Sequence, residues 1–138
     1  ASLVRRRRGR SRLAVAGELP DVAPAEQALA SLGALTTRAA AGYEAVSMHA
    51  ALWQIAARYV DRSRGLARCE RTTTELLAAV RRRTPSADAA SVARVMRSCD
   101  LVKFARSEPD ATAFAALAGV FETFVRDEAR TDAPDDRA

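Results

Sequence analysis

The chain has 138 residues, of which 49% are hydrophobic and 32 are alanine, whereas only 6 are glycine and 5 are proline. A chain of this length forms one domain whose core needs no disulfides, and this apolar content excludes wholesale disorder. Few turn residues argue against a β-sandwich or barrel. The composition therefore predicts an all-α fold, a compact bundle of about five helices.

The net charge of +5 lies at one end of the chain. Residues 1–12 contain six arginines and no acid, whereas the rest has 16 basic and 17 acidic residues. The six are Arg5, Arg6, Arg7, Arg8, Arg10 and Arg12. Like charges without an apolar face do not pack. We therefore predict a disordered basic arm and linker over 1–23, a helical domain over 24–130 and a polar tail over 131–138.

Apolar residues recur with a helical period from Pro24 onwards. The first predicted helix begins there and ends before Gly42, and the second runs over about 43–64, with Gly65 as a left-handed cap. The third helix covers about 73–83. It opens on a capping box formed by Thr72 and Glu75, three residues apart.

Pro85 separates the third helix from a fourth, predicted over about 87–106 with Ser86 or Asp88 as its N-cap. Asp110 caps the fifth helix, predicted to reach about residue 130. The large apolar side chains of helices two to five predict one contiguous core. Its predicted members are Trp53, Tyr59, Leu76, Leu77, Leu101, Phe104, Leu117, Phe121 and Phe124.

Reactive groups are few in this chain. His49, the one histidine, lies on an apolar stripe, Cys99 falls in a helical apolar pattern that indicates a buried thiol, and Cys69 lies in a connection. No metal-ligand spacing and no glycine-rich phosphate loop occurs in the sequence. Carboxylates such as Asp127 and Glu128 indicate solvated charge at a helix end. We expect no enzyme activity, catalytic residue, metal, cofactor or small-molecule substrate.

The arginine-rich arm fits two kinds of partner. Arginines neutralise phosphates, so one interpretation is a soluble protein that binds nucleic acid through its arginine-rich arm. However, no aromatic residue precedes Tyr43 to stack on bases. The other reading is the cytoplasmic flank of a membrane span, where basic residues contact anionic lipid. The arm arginines are candidates for either surface.

Three segments carry a resemblance to a known family. They are Ala-Arg-Tyr-Val-Asp-Arg at 57–62, Arg-Thr-Thr-Thr-Glu-Leu-Leu at 71–77 and Cys-Asp-Leu-Val-Lys-Phe-Ala at 99–105. In this order they resemble the cytosolic helical domain of bacterial Bat aerotolerance-type membrane proteins. They are equally similar to a related domain encoded beside MoxR-type ATPases and von Willebrand A-domain proteins. The resemblance covers over half of the chain.

The resemblance implies a non-catalytic interaction module on the cytoplasmic side of the bacterial inner membrane, anchored by a span absent from this chain. Its implied partners are a MoxR-type ATPase and a von Willebrand A-domain protein, and its implied role is envelope maturation or stress tolerance. The arm would contact the anionic membrane, and no specific nucleic acid is expected.

The motif residues have a structural or an interaction role in this reading. They are Tyr59, Thr72, Thr73, Glu75, Asp100, Lys103 and Phe104. Leu101 and Phe104 lie three residues apart and are expected to share a buried side. Lys103 is the one lysine among 21 arginines. Its stem is predicted to run along apolar surface to an acceptor in the second or third helix, or else to a partner.

Overall fold

Five α-helices form the part of the chain that the structure, a computed structural model, describes: residues 22–66 and 72–132. They are α1 (Pro24–Ala41), α2 (Ala45–Arg64), α3 (Thr73–Arg81), α4 (Ser86–Ala105) and α5 (Ala111–Asp132). No strand occurs within those ranges, so the predicted all-α bundle is confirmed. Residues 1–21 with the basic arm, Cys69 and the tail from 133 lie outside the described residues.

The predicted start and stop signals account for several helix ends. Pro24 is the first residue of α1, and Gly65 closes α2 with φ 63° in the left-handed region. Thr72 and Glu75 form the predicted capping box at α3. The backbone N–H of Ala113 donates to the Asp110 carboxylate at 2.9 Å, as expected for the cap of α5.

Four other helix ends differ from the prediction. Helix α2 begins at Ala45 rather than Tyr43, because the Glu44 carboxylate is the N-cap and accepts from the N–H groups of Ser47 and Val46. Helix α3 ends at Arg81, two residues early. The predicted side-chain cap of α4 is wrong, because Pro85 occupies the N-cap position. Helix α5 continues to Asp132, past the predicted end at 130.

Helix α2 is central to the bundle and contacts the other four helices, while α5 also packs against α1 and α4. Phe114 and Phe121 of α5 are among the largest fully buried side chains. Phe121 lies in an aromatic cluster, with its ring centroid 6.2 Å from Tyr59 and 6.4 Å from Phe124. The observed core therefore contains the residues that were predicted for it in α2, α3 and α5, with Trp53 only partly buried at its edge.

The prediction that two residues of α4 lie in the core is wrong. Leu101 and Phe104 are 56% and 73% exposed. Val92, Cys99 and the other buried residues of α4 define one stripe. Leu101 follows Val92 by nine residues, about two and a half helical turns, and therefore points to the opposite side. Phe104 lies off the stripe as well, so the two do not share a buried side.

Arg62 near the end of α2 holds the beginning of α1. Its guanidinium donates through Nη1 to the Gln27 side chain at 2.7 Å and through Nη2 to the carbonyl of Val22 at 2.8 Å. Because α1 starts without a side-chain cap, this arginine supplies the polar contact that fixes where the chain joins the bundle.

Candidate interaction groove

A groove of about 490 Å³ lies where α2, the start of α3 and the second half of α4 meet. We call it the motif groove. Its described lining residues are Val46, His49, Ala50, Trp53, Gln54, Thr72, Thr73, Thr74, Cys99, Asp100, Lys103 and Phe104.

The groove brings together most of the residues singled out by the sequence motifs. Thr72 and Thr73 come from the second motif, and Asp100, Lys103 and Phe104 from the third. Segments about thirty residues apart in sequence therefore meet on one surface. Glu75 lies just outside the groove, where its carboxylate accepts from the N–H of Thr72 at 2.9 Å.

Trp53 positions the start of α3 in this groove. Its indole Nε1 donates to Thr73 Oγ1 at 2.8 Å, which joins α2 to the first residue of α3. The N–H of Glu75 donates to Thr72 Oγ1 at 3.1 Å. These bonds hold the threonine side chains and account for a structural role of the second motif.

The floor of the groove contains His49 and Cys99, both buried. The His49 ring packs edge-on against Phe114, with the centroids 5.1 Å apart, which confirms it as a histidine of the apolar stripe. Burial and the charge of Asp100 raise the pKa of the Cys99 thiol to about 12. A thiol with this pKa stays protonated and unreactive at neutral pH.

Lys103 does not make the internal tie predicted for it within the described ranges. Its side chain is exposed, and no hydrogen bond or ion pair joins it to another described helix. Its ammonium lies 5.1 Å from the centre of the Phe104 ring, a cation–π distance. Lys103 follows Val92 by eleven residues, about three turns, and therefore lies on the same side of α4 as the buried stripe. It stands at the end of that side, where the helix lines the groove.

Tyr59 does not line the motif groove. It lines an adjoining cavity of about 720 Å³, which also includes residues of α1 and shares Trp53, Gln54 and Lys103 with the motif groove. Its hydroxyl donates to Glu128 Oε1 at 2.6 Å, so its polar atom serves the interior of the bundle.

Glu128 is the centre of a polar cluster that sequence analysis missed. Arg64 donates to both carboxylate oxygens and also to Thr84, whose hydroxyl donates to the carboxylate at 3.3 Å. The side chains of Arg64 and Glu128 are only 5% and 16% exposed, so the expectation of a solvated Glu128 is wrong. Its spacing gave a signal: Glu128 follows Phe121 by seven residues, about two turns, on the buried face of α5.

The polar cluster shifts the titration of its members. Burial alone would raise the pKa of Glu128, but the hydrogen bonds from Arg64, Tyr59 and Thr84, together with the positive charge of Arg64, outweigh it and hold the pKa below its usual value. Burial and the hydrogen bond to Glu128 raise the pKa of Tyr59 well above its usual value. The cluster therefore contains an ionised carboxylate and a neutral phenol at neutral pH.

No family model matches the chain, and no curated protein and no solved structure matches it either. Among the described residues, no group of three or more histidine, cysteine or acidic side chains is arranged to hold a metal ion. None of the five described helices is long and apolar enough to cross a membrane.

Proposed function

We propose that this chain is a non-catalytic protein-interaction module and that the motif groove is its partner-binding surface. The observation that carries the proposal is the position of Val46 and Phe104. Both are large apolar side chains left exposed by the bundle, and both line this groove. Exposed apolar side chains grouped at a concave surface are typical of interaction sites.

The resemblance of the three sequence motifs supplies the partners in this proposal. They are a MoxR-type ATPase and a von Willebrand A-domain protein. The module would belong to a membrane-anchored bacterial protein that acts in envelope maturation or stress tolerance. The arginines of 1–12 would contact the anionic cytoplasmic leaflet, where each basic residue gains roughly 1 kcal/mol.

The test is binding of the full chain to the purified ATPase and A-domain protein of the same organism. We expect the double variant Val46→Ser, Phe104→Ser to lose binding. Leu101→Ser is the matched control, because it removes a similarly exposed apolar side chain that does not line the groove. Equal binding by the double variant and the unmodified chain would exclude the groove as the partner surface.

A further inference from the structure

Positive charge is concentrated in one stretch of the described chain. Residues 81–106, which include the turn between α3 and α4 and all of α4, contain seven basic and two acidic residues. All seven basic residues are exposed. The other described residues contain six basic and ten acidic ones. Such an uneven distribution gives one part of the surface a positive potential, which attracts anionic partners.

The outward side of α4 combines this charge with apolar side chains. Ala90, Arg94, Arg97, Leu101 and Phe104 are all exposed. They follow one another at steps of four or three residues, so they lie on one side of the helix. We call them the outer face of α4. Neither of the two acids of the segment belongs to this series, and Phe104 lies where the face borders the motif groove.

The order of residues on the outer face fits an anionic bilayer. Arg94 and Arg97 precede Leu101 and Phe104, which are two of the three large hydrophobic side chains that the described bundle leaves exposed. At a bilayer the arginines meet lipid phosphates, while the apolar side chains enter the boundary between headgroups and acyl chains. The phosphates of a nucleic acid would bind the arginines but leave Leu101 in water.

The last turn of α2 brings the basic turn before α4 to the end of the bundle where the chain enters it. Arg62 donates to the carbonyl of Val22 at 2.8 Å, and Arg64 donates to the hydroxyl of Thr84 at 2.8 Å. The first described residue and the turn between α3 and α4 therefore lie at the same end. An arm that reaches the membrane from Val22 would bring the amino end of α4 close to it.

We infer that the outer face of α4 lies on an anionic membrane surface, with its arginines at the headgroups and Leu101 and Phe104 in the acyl boundary. The six arginines of 1–12 bring the chain to the membrane. The second contact then forms within one molecule, at a high effective concentration. This inference rests on the membrane contact in the proposed function and goes beyond it, because it fixes which side of the bundle faces the lipid.

The experiment measures sedimentation of the full chain with vesicles of equal parts phosphatidylglycerol and phosphatidylcholine. Arg97→Glu should lower the partition coefficient about thirtyfold, since each unit of charge near an anionic surface is worth roughly 1 kcal/mol, a factor of about five. Arg38→Glu is the matched control, because Arg38 is equally an exposed arginine but belongs to α1, which does not contact α4. Its partition coefficient should fall less than about threefold, since screening weakens distant charges.

Leu101→Ser tests the apolar part of the contact. It should lower the partition coefficient about fivefold, and that ratio should not change between low and moderate salt, because apolar burial is not screened. The ratio for Arg97→Glu should shrink as salt rises. Vesicles of phosphatidylcholine alone should sediment little of any variant.

Equal partition coefficients for the two charge reversals, or no loss in Leu101→Ser, would overturn the inference. A loss of duplex DNA binding in Arg97→Glu with unchanged vesicle binding would also overturn it and assign the face to nucleic acid. If deleting 1–12 abolishes sedimentation while the variants of the outer face bind as the unmodified chain does, the arm contact of the proposed function stands and only the contact of α4 fails.

Discussion

The buried ion pair between Arg64 and Glu128 gives the sharpest test of the packing. In Glu128→Gln, the amide oxygen can still accept from Tyr59 and from one guanidinium nitrogen. The amide NH₂ group, however, replaces the oxygen that accepts from Arg64 Nη2 and Thr84. The charge of Arg64, whose side chain is 5% exposed, is then uncompensated.

Removing one partner of a buried pair costs about 3–5 kcal/mol, and the remaining exposure of Glu128 places the expected loss near 3 kcal/mol. For a domain of this size, that loss lowers the melting temperature by roughly 10–20 °C. Thermal unfolding followed by circular dichroism at pH 7 measures it.

Glu122→Gln is the matched control on the same helix. Glu122 pairs with Arg126 at 2.9 Å, but the two side chains are 45% and 58% exposed. An exposed pair of this spacing contributes about 0.3–0.5 kcal/mol. If the two variants lower the melting temperature equally, the buried pair does not stabilise the bundle as argued.

The same pair predicts a pH dependence with a definite sign. Because the pKa of Glu128 is lowered in the folded chain, its ionised form stabilises the fold above the ordinary carboxyl pKa of about 4.3. That stability is lost as the pH falls through the folded pKa. The difference in unfolding free energy between the unmodified chain and Glu128→Gln should therefore narrow below about pH 4.5.

Three further predictions concern the core, the groove and the arm. Phe121→Ala should lower the free energy of unfolding, measured by chemical denaturation, by about 3–5 kcal/mol. Phe104→Ala, at an exposed position, should change it by no more than about 0.5 kcal/mol. Similar losses of unfolding free energy in the two variants would refute the assigned core. Lys103→Met should leave the melting temperature unchanged and weaken partner binding. A clear drop in melting temperature would instead support the predicted tie between Lys103 and another helix. Deleting 1–12 should abolish sedimentation with phosphatidylglycerol vesicles at low salt, and unchanged sedimentation would exclude the arm as the membrane contact.

The number and order of helices were predictable because their signals are local. Apolar spacing, the capping box at Thr72 and the left-handed Gly65 depend on neighbours within about one or two turns. Which face of α4 is buried was harder to predict from the sequence. Leu101 and Phe104 are both apolar, and their exposure depends on which face of the helix meets α2.

The composition of the groove and of the polar cluster required the tertiary structure. Thr73 and Lys103 come from motifs that no periodicity relates, and α2 brings them to one surface. In the sequence, Glu128 lies in a polar stretch at a helix end. Its pairing is evident only in the tertiary structure, where Arg64 at the end of α2 lies beside it. Its seven-residue spacing from Phe121 was the available signal for a buried carboxylate.

The contact of Arg62 with Val22 and Gln27 has a mechanical consequence. Any load transmitted along the segment before Val22 reaches the bundle at this contact, before it reaches the body of α1. Two hydrogen bonds from one guanidinium share that load, and they connect it to the central helix. Tension on the arm would thus be borne by α2 as well as α1, which resists peeling of the first helix from its neighbours.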